Sequence, residues 1–328
     1  MQVIASVRDA IGEDSLPSPV KFMHLCAYMI PLILGPILML ASALFIVPTD
    51  WFADRSNNLF MDTLGYGAAL HNTDCEVLIY GDSTAEIGVS PTIVRQNTGL
   101  STCNVAEIAG VFVVNGTMPL DQFLAQNPRP RFIVFMFAPE GFNPESQRKN
   151  PEITRFEGVL YRMRQPHRIA GFFALMRHPE DLFAWADQGL RMAIDERSRK
   201  PLPPEKKYMR FHTMGITSFD NPPMTSCNYP HHNPMPDRAW VEGLRAKYGV
   251  NGTAVIFDAT PVPSCDPDRS FFELQLHGII DNSFQPLPFE DYFRGGRHVH
   301  PAGVALISKD VSNQILERMK SDAKPGVQ

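Results

Sequence analysis

The chain has 328 residues, 44% hydrophobic and 20% charged, a balance that excludes a disordered tail protein, a collagen and a coiled coil. Its 30 Lys and Arg against 35 Asp and Glu leave a net charge of −5, so no basic excess points to nucleic acid. Five Cys are too few for a disulfide scaffold, and 29 Pro against 22 Gly predict much loop.

Between Lys21 and Asp50, residues 22–49 contain no Asp, Glu, Lys or Arg. As a helix this stretch would extend about 42 Å, against a hydrocarbon core of about 30 Å. Pro31 and Pro36 would kink it, which a lipid-buried helix tolerates better than a soluble one. Arg8 and Lys21 precede the stretch and Arg55 is the close basic residue after it, so the weak charge bias favours a cytoplasmic N-terminus and an exported body. Ala41-Ser42-Ala43 has the form of a signal-peptidase site, but Leu44-Phe45-Ile46-Val47 continues the apolar run beyond it, which favours an uncleaved anchor. A buried soluble helix is the remaining alternative. The expected organisation is therefore 1–21 cytoplasmic, 22–48 transmembrane, 49–73 linker, 74–320 folded domain and 321–328 tail. In an oxidising compartment Cys75, Cys103, Cys227 and Cys265 allow three pairings, with small buried thiols as the competing reading and Cys26 unpaired.

Glu76-Val77-Leu78-Ile79-Tyr80 is a short apolar run ending at Gly81, as a buried parallel strand ends. Ser90-Pro91 predicts a helix start and Gly99 its stop. A second strand fits Thr102–Ala106. A short helix follows with Leu120, Phe123 and Leu124 on one face, ended by Pro128 and Pro130. Arg131–Phe137 is the strongest strand pattern in the chain. Strand, helix, strand, helix, strand implies right-handed crossovers and a parallel sheet.

From 151 to 197 the pattern turns helical, with Phe156, Val159, Leu160 and Met163 on one face and Leu182, Trp185, Ala186 and Leu190 on another. Residues 201–238 are Pro-rich and polar. Residues 151–238 are read as an insertion over the sheet edge, with the Phe-rich face 171–183 expected in the core, or as a lid. Ala254–Phe257 returns to strand, and a closing helix from Pro301 presents Val304, Ile307, Val311 and Ile315.

Gly81-Asp82-Ser83 follows the first strand, and ligand sites in open α/β sheets lie beyond the carboxyl ends of strands. Alone it is a weak signal that fits any turn. After the second strand the chain reaches Gly110, where a bare backbone N–H could approach a ligand. After the third comes Gly141-Phe142-Asn143. Near the C-terminus lies His298-Val299-His300-Pro301-Ala302-Gly303. In these four stretches, in the order Ser, Gly, Asn, His, the chain resembles the SGNH hydrolase superfamily, the GDSL esterases and lipases, over about residues 74–320.

The resemblance implies an α/β fold, a three-layer sandwich with a mostly parallel central sheet of flavodoxin-like type, here preceded by one N-terminal transmembrane helix. It implies Ser83 as nucleophile, His298 as general base, and an oxyanion hole from the Ser83 N–H, Gly110 and Asn143. His298 is preferred over His300 because Gly303 stands five residues after it; His300 is the runner-up. Pro144 replaces an Asp that the family usually carries after the Asn. The larger departure is the acid expected three residues before the His, because Gly295 stands there for His298 and Arg297 for His300. In a serine protease, losing that acid costs about 10⁴-fold, roughly 5.5 kcal/mol of barrier. A backbone carbonyl orienting His298, or Asp291 or Glu290 folding back to it, would compensate; Asp82, Asp291 and His300 are the candidate supporting groups. Arg294 and Arg297 are read as a solvated flank or as recognition of an anionic substrate.

The implied chemistry is acyl transfer without cofactor or metal, to water or to a sugar hydroxyl. His231-His232 beside Cys227, and His298-x-His300, lack regular zinc spacing. Anchor and resemblance together imply an exported, single-pass protein of a bacterial inner membrane, facing the periplasm. Its substrate would be an acylated carbohydrate or another ester of an envelope or secreted polysaccharide, and its partners the polysaccharide-synthesis or export machinery. The rival is a non-catalytic accessory protein of the same fold that binds a glycan.

Overall fold

The structure, a computed structural model, describes residues 19–46, 70–107, 116–147, 168–177, 179, 183, 186, 222–227, 234–281, 284–293 and 296–322. Pro19–Ile46 forms a single helix, α1, with Pro31 and Pro36 inside it. Its stretch Met23–Ile46 is long and apolar enough to cross a membrane, and little of it is covered by the rest of the chain.

Four strands form one all-parallel sheet: β1 Val77–Gly81, β2 Thr102–Asn104, β3 Phe132–Phe137 and β4 Ala254–Ala259, in the order β2-β1-β3-β4. The register runs from Val77↔Thr102 and Val77↔Phe132 to Phe137↔Ala259. Every described strand except the first residue of β4 is buried along its length, the mark of a sheet covered on both faces. Alternate residues feed two separate clusters. Leu78, Tyr80, Ile133, Phe135 and Phe257 pack with α4 (Met118–Gln126), α7 (Arg238–Tyr248) and α8 (Arg269–Leu276). Val77, Ile79, Val134, Met136 and Ile256 pack with α2 (Ser83–Gly88), α3 (Pro91–Thr98) and α9 (Pro301–Asp322). The period of two along each strand makes this division.

The expected strands are present, with the second ending at Asn104 rather than Ala106. The expected helix at Ser90-Pro91 is α3, closed by Gly99 at φ 76°, and the closing helix is α9, with Ile307, Val311 and Ile315 in the core. Unforeseen were α2, directly after β1, α7 and α8. Of the 151–238 insertion, α6 (Arg168–Arg177) is described, together with isolated residues and the segments 222–227 and 234–238; the expected faces at 156–163 and 182–190 lie outside the described residues, apart from Phe183 and Ala186. The expectation that the 171–183 phenylalanines are core is corrected: Phe172, Phe173 and Phe183 are exposed. A short helix, α5, occupies Pro144–Gln147.

Disulfides join Cys75 to Cys103 and Cys227 to Cys265, with Cα separations of 5.7 and 5.9 Å, and Cys26 is free. The first ties the start of β1 to β2. The second ties residues 222–227 to the loop after β4.

Candidate active site

The strand order reverses direction on either side of β1, since the chain goes from β1 to β2 on one side and then to β3 on the other. That is the switch point where a crevice opens beyond the carboxyl ends. Gly81 is the last residue of β1, opposite Met136. A Cβ there would collide with the Met136 carbonyl and approach Ala85, so only Gly lets β1 and β3 run this close into the turn. Asp82 then caps α2. Its Oδ1 accepts from the Thr84 N–H at 2.9 Å and the Thr84 hydroxyl at 2.6 Å, while its Oδ2 accepts from the Ala138 N–H at 2.9 Å. One buried carboxylate thus binds the turn after β1 to the end of β3. Burial pushes it above the ordinary carboxylate value despite these three donors and the Arg297 cation. The Thr84 and Thr260 hydroxyls, 2.5 Å apart, extend the network to the end of β4.

Ser83, half-buried, is the first residue of α2. Among the described residues its backbone N–H donates to nothing, as expected of an initial helical N–H.

Two stretches just before α9, 291–293 and 298–300, pair antiparallel. Phe293 N–H donates to His298 O at 2.8 Å, His300 N–H donates to Asp291 O at 2.6 Å, and Tyr292 bridges Val299. Val299 points into the core, 2% exposed. His298 is thereby carried to Ser83, with Nε2 3.0 Å from Oγ. His300 is used differently. Its carbonyl accepts from the Val304 N–H at 2.9 Å to start α9, and its ring lies 3.9 Å from that of Phe293. Gly303 permits the close approach, since a Cβ there would lie 2.8 Å from Val299 Cβ and 3.2 Å from Asp291 O. The spacing of His298 and Gly303 therefore has a steric origin.

The loop after β3 closes over Asp82. Gly141, in a 3-10 turn over Pro139–Phe142, leaves only 3.0 Å between a Cβ and Asp82 Oδ2. Asn143 ends this turn at the same sheet edge, and its amide donates to the Met235 carbonyl at 2.6 Å. Gly110 and Gly295 lie outside the described residues.

Arg297 forms an ion pair with Glu140, linking the loop of His298 to the loop of Asn143. It thus meets solvent while engaging a carboxylate, and Arg294 lies outside the described residues. Burial and the Arg297 cation together lower the His298 imidazole to about 4, so it is neutral at pH 7. Asp291 enters through its backbone carbonyl, and Glu290 is exposed. Asp82 is committed to Thr84 and Ala138. A small cavity of about 20 Å³ is lined by Thr84, Ala138, Glu140, Thr260, Phe272 and Arg297. Ser83 and His298 are not on its wall, although their chain neighbours are.

Compared with known protein families, characterised proteins and solved structures, the chain matches none. Sequence reasoning missed Glu140, Thr84 and Thr260. No spacing rule marks them, because each acts through a partner on another strand end.

Proposed function

We propose that this protein is a serine-dependent acyl esterase or O-acyltransferase of SGNH type, carried on α1 as a membrane anchor with the sheet domain on the exported side. The observation that carries the reading is the 3.0 Å approach of His298 Nε2 to Ser83 Oγ at the switch point of a parallel sheet. A hydroxyl is a poor nucleophile unless a base within hydrogen-bond reach takes its proton. His298, neutral at pH 7, is in the state needed to do so. The Ser83 N–H would donate to the tetrahedral oxyanion, with Gly110 and the Asn143 amide as further donors, each worth about 3 kcal/mol. Departure of the alcohol then leaves an acyl-Ser83, released to water by an esterase or to a sugar hydroxyl by a transferase.

Two apolar clusters fed by alternate strand residues support a three-layer arrangement of flavodoxin-like type. Two disulfides support an oxidising compartment, the bacterial periplasm in this reading. O-acyl groups of an envelope or secreted polysaccharide are the proposed substrates, with polysaccharide-synthesis or export machinery as partner.

A second reading, a non-catalytic glycan-binding relative of the same fold, is favoured by one observation: burial and the Arg297 cation disfavour the imidazolium that a base must become. A fluorophosphonate probe separates the two. The enzyme reading expects covalent labelling that Ser83→Ala abolishes with the melting temperature unchanged, and loss of chromogenic acetyl-ester hydrolysis in parallel. Absence of labelling, with glycan binding retained by Ser83→Ala, would establish the binder instead.

A further inference from the structure

The helix α6, Arg-Ile-Ala-Gly-Phe-Phe-Ala-Leu-Met-Arg from Arg168 to Arg177, is apolar all round between its terminal arginines. Such a helix belongs in a protein core or in lipid. It is packed against α1. Its Ile169, Phe172, Phe173 and Met176, at i, i+3, i+4 and i+7, form one face and are 74%, 38%, 57% and 60% exposed. The two Phe rings contact each other edge to face at 5.7 Å, and Phe183, further along the chain, is 78% exposed.

The part of α1 that is covered lies at its C-terminal end, where residues 39–44 and 46 are partly buried and Ala43 fully so, although Phe45 is exposed, whereas residues 27–34 all stand exposed. α6 packs against α1 and the cover on α1 lies at that end, and the two together point to α6 near the level where α1 leaves the apolar layer. Ten residues of helix extend about 15 Å and cannot cross a core of about 30 Å. Basic groups at both ends favour lying in the plane of the interface, where arginine stems reach toward headgroups.

We infer that α6 is an interfacial helix whose Ile169–Phe172–Phe173–Met176 face lies in the headgroup and upper acyl region of the leaflet from which α1 emerges. Its partner is the phospholipid bilayer itself. The inference rests on α1 crossing that bilayer and is independent of the chemistry at Ser83. The domain is then held against the membrane at two points, α1 and α6, instead of swinging on a single tether.

The test uses the full chain with Cys26→Ser and one further substitution, Ile33→Cys, Phe173→Cys, Met176→Cys or Leu274→Cys. Each is labelled with an environment-sensitive fluorophore and placed in phospholipid nanodiscs. Leu274 is exposed on α8 and reports the aqueous side; Ile33 is exposed on α1 and reports the core. Positions 173 and 176 should show blue-shifted emission, quenching by lipids spin-labelled near the headgroup, and shelter from aqueous iodide. Position 33 should respond to deep-chain spin labels, and position 274 to iodide alone. Behaviour at both 173 and 176 like that at 274 overturns the proposal. So does shelter from iodide without lipid quenching, which would mark a protein partner such as a second copy. Failure of position 33 to meet lipid would bring down the anchor and, with it, this placement of α6.

Discussion

Gly303→Ala isolates the steric clamp that sets the position of His298. In an ordinary helical site the change would favour folding, because Ala exceeds Gly in helix propensity by about 1 kcal/mol. Here the new methyl falls 2.8 Å from Val299 Cβ and 3.1 Å from its Cγ1, with Asp291 O at 3.2 Å. Val299 is 2% exposed and has no room to retreat, and the carbonyl belongs to the pairing that carries His298. Overpacking of this kind costs about 1–3 kcal/mol, so the net expectation is a loss of up to about 2 kcal/mol. Gly243→Ala in α7 is the matched control, since nothing stands within 4 Å of its Cβ position. It should gain about 0.5–1 kcal/mol. At about 2–4 °C per kcal/mol the two melting temperatures should move in opposite directions. Fluorophosphonate labelling should fall by about 10²-fold in Gly303→Ala if His298 is displaced by about 1 Å, and should be unchanged in Gly243→Ala. A Gly303→Ala protein as stabilised as the control, with wild-type labelling, would refute the clamp.

Four further outcomes rest on the same geometry. His298→Gln should abolish fluorophosphonate labelling, and His300→Gln should retain most of it; the reverse result would transfer the base to His300. With His298 at about 4, labelling should stay level as pH falls from 7 to about 5 and decline only through about 4. Arg297→Gln should move that decline to higher pH, because it removes a cation and frees the Glu140 carboxylate, and an unmoved profile would show that the cation does not act on the ring. The linkage has a definite sign. The folded-state value lies below the ordinary 6.5, so the unfolded chain binds the extra proton between about 4 and 6.5. His298 therefore supports folding fully above that window and withdraws support as pH falls through it, which a His298→Gln stability–pH profile would reveal. Replacing Cys227 and Cys265 together by Ser opens a link of sequence separation 38. Chain entropy puts its loss at about 4 kcal/mol, and labelling should fall with it, because the tethered segment meets the residues before His298 through Met224 N–H to Tyr292 O at 2.8 Å.

What the sequence made legible was whatever repeats with the period of its own element. The runs at Val77 and Phe132 read as strands because both faces are covered, and α9 read as a helix because Ile307, Val311 and Ile315 recur on one face. Ser83, Asn143 and His298 could be picked out because each follows a strand or precedes a helix. The Arg297–Glu140 pair could not, since its partners lie on separate loops and only the closing of the sheet edge brings them together. Ser83–Gly88 gives no helix signal because its six residues are too few to show a helical period; it is a helix through the Asp82 cap and the close approach at Gly81. The α6 phenylalanines were misread as core for a different reason. Periodicity identifies an apolar face but not the medium that covers it, and a membrane satisfies the pattern as well as a protein interior does.

Burial and the Arg297 cation both lower the affinity of the His298 imidazole for a proton. On the proposed reading the ring is neutral at pH 7 but, lowered to about 4, is a weak base, a weakness whose cost in rate follows Brønsted behaviour. A weak base suffices where the acyl centre is already electrophilic enough to need little activation of the hydroxyl. Activated donors, including the fluorophosphonate probe, should then react far better than simple alkyl esters. A steep dependence of turnover on leaving-group pKa would express that weakness, and Arg297→Gln should flatten it. A flat dependence in the wild-type protein would mean that something else restores the basicity of His298.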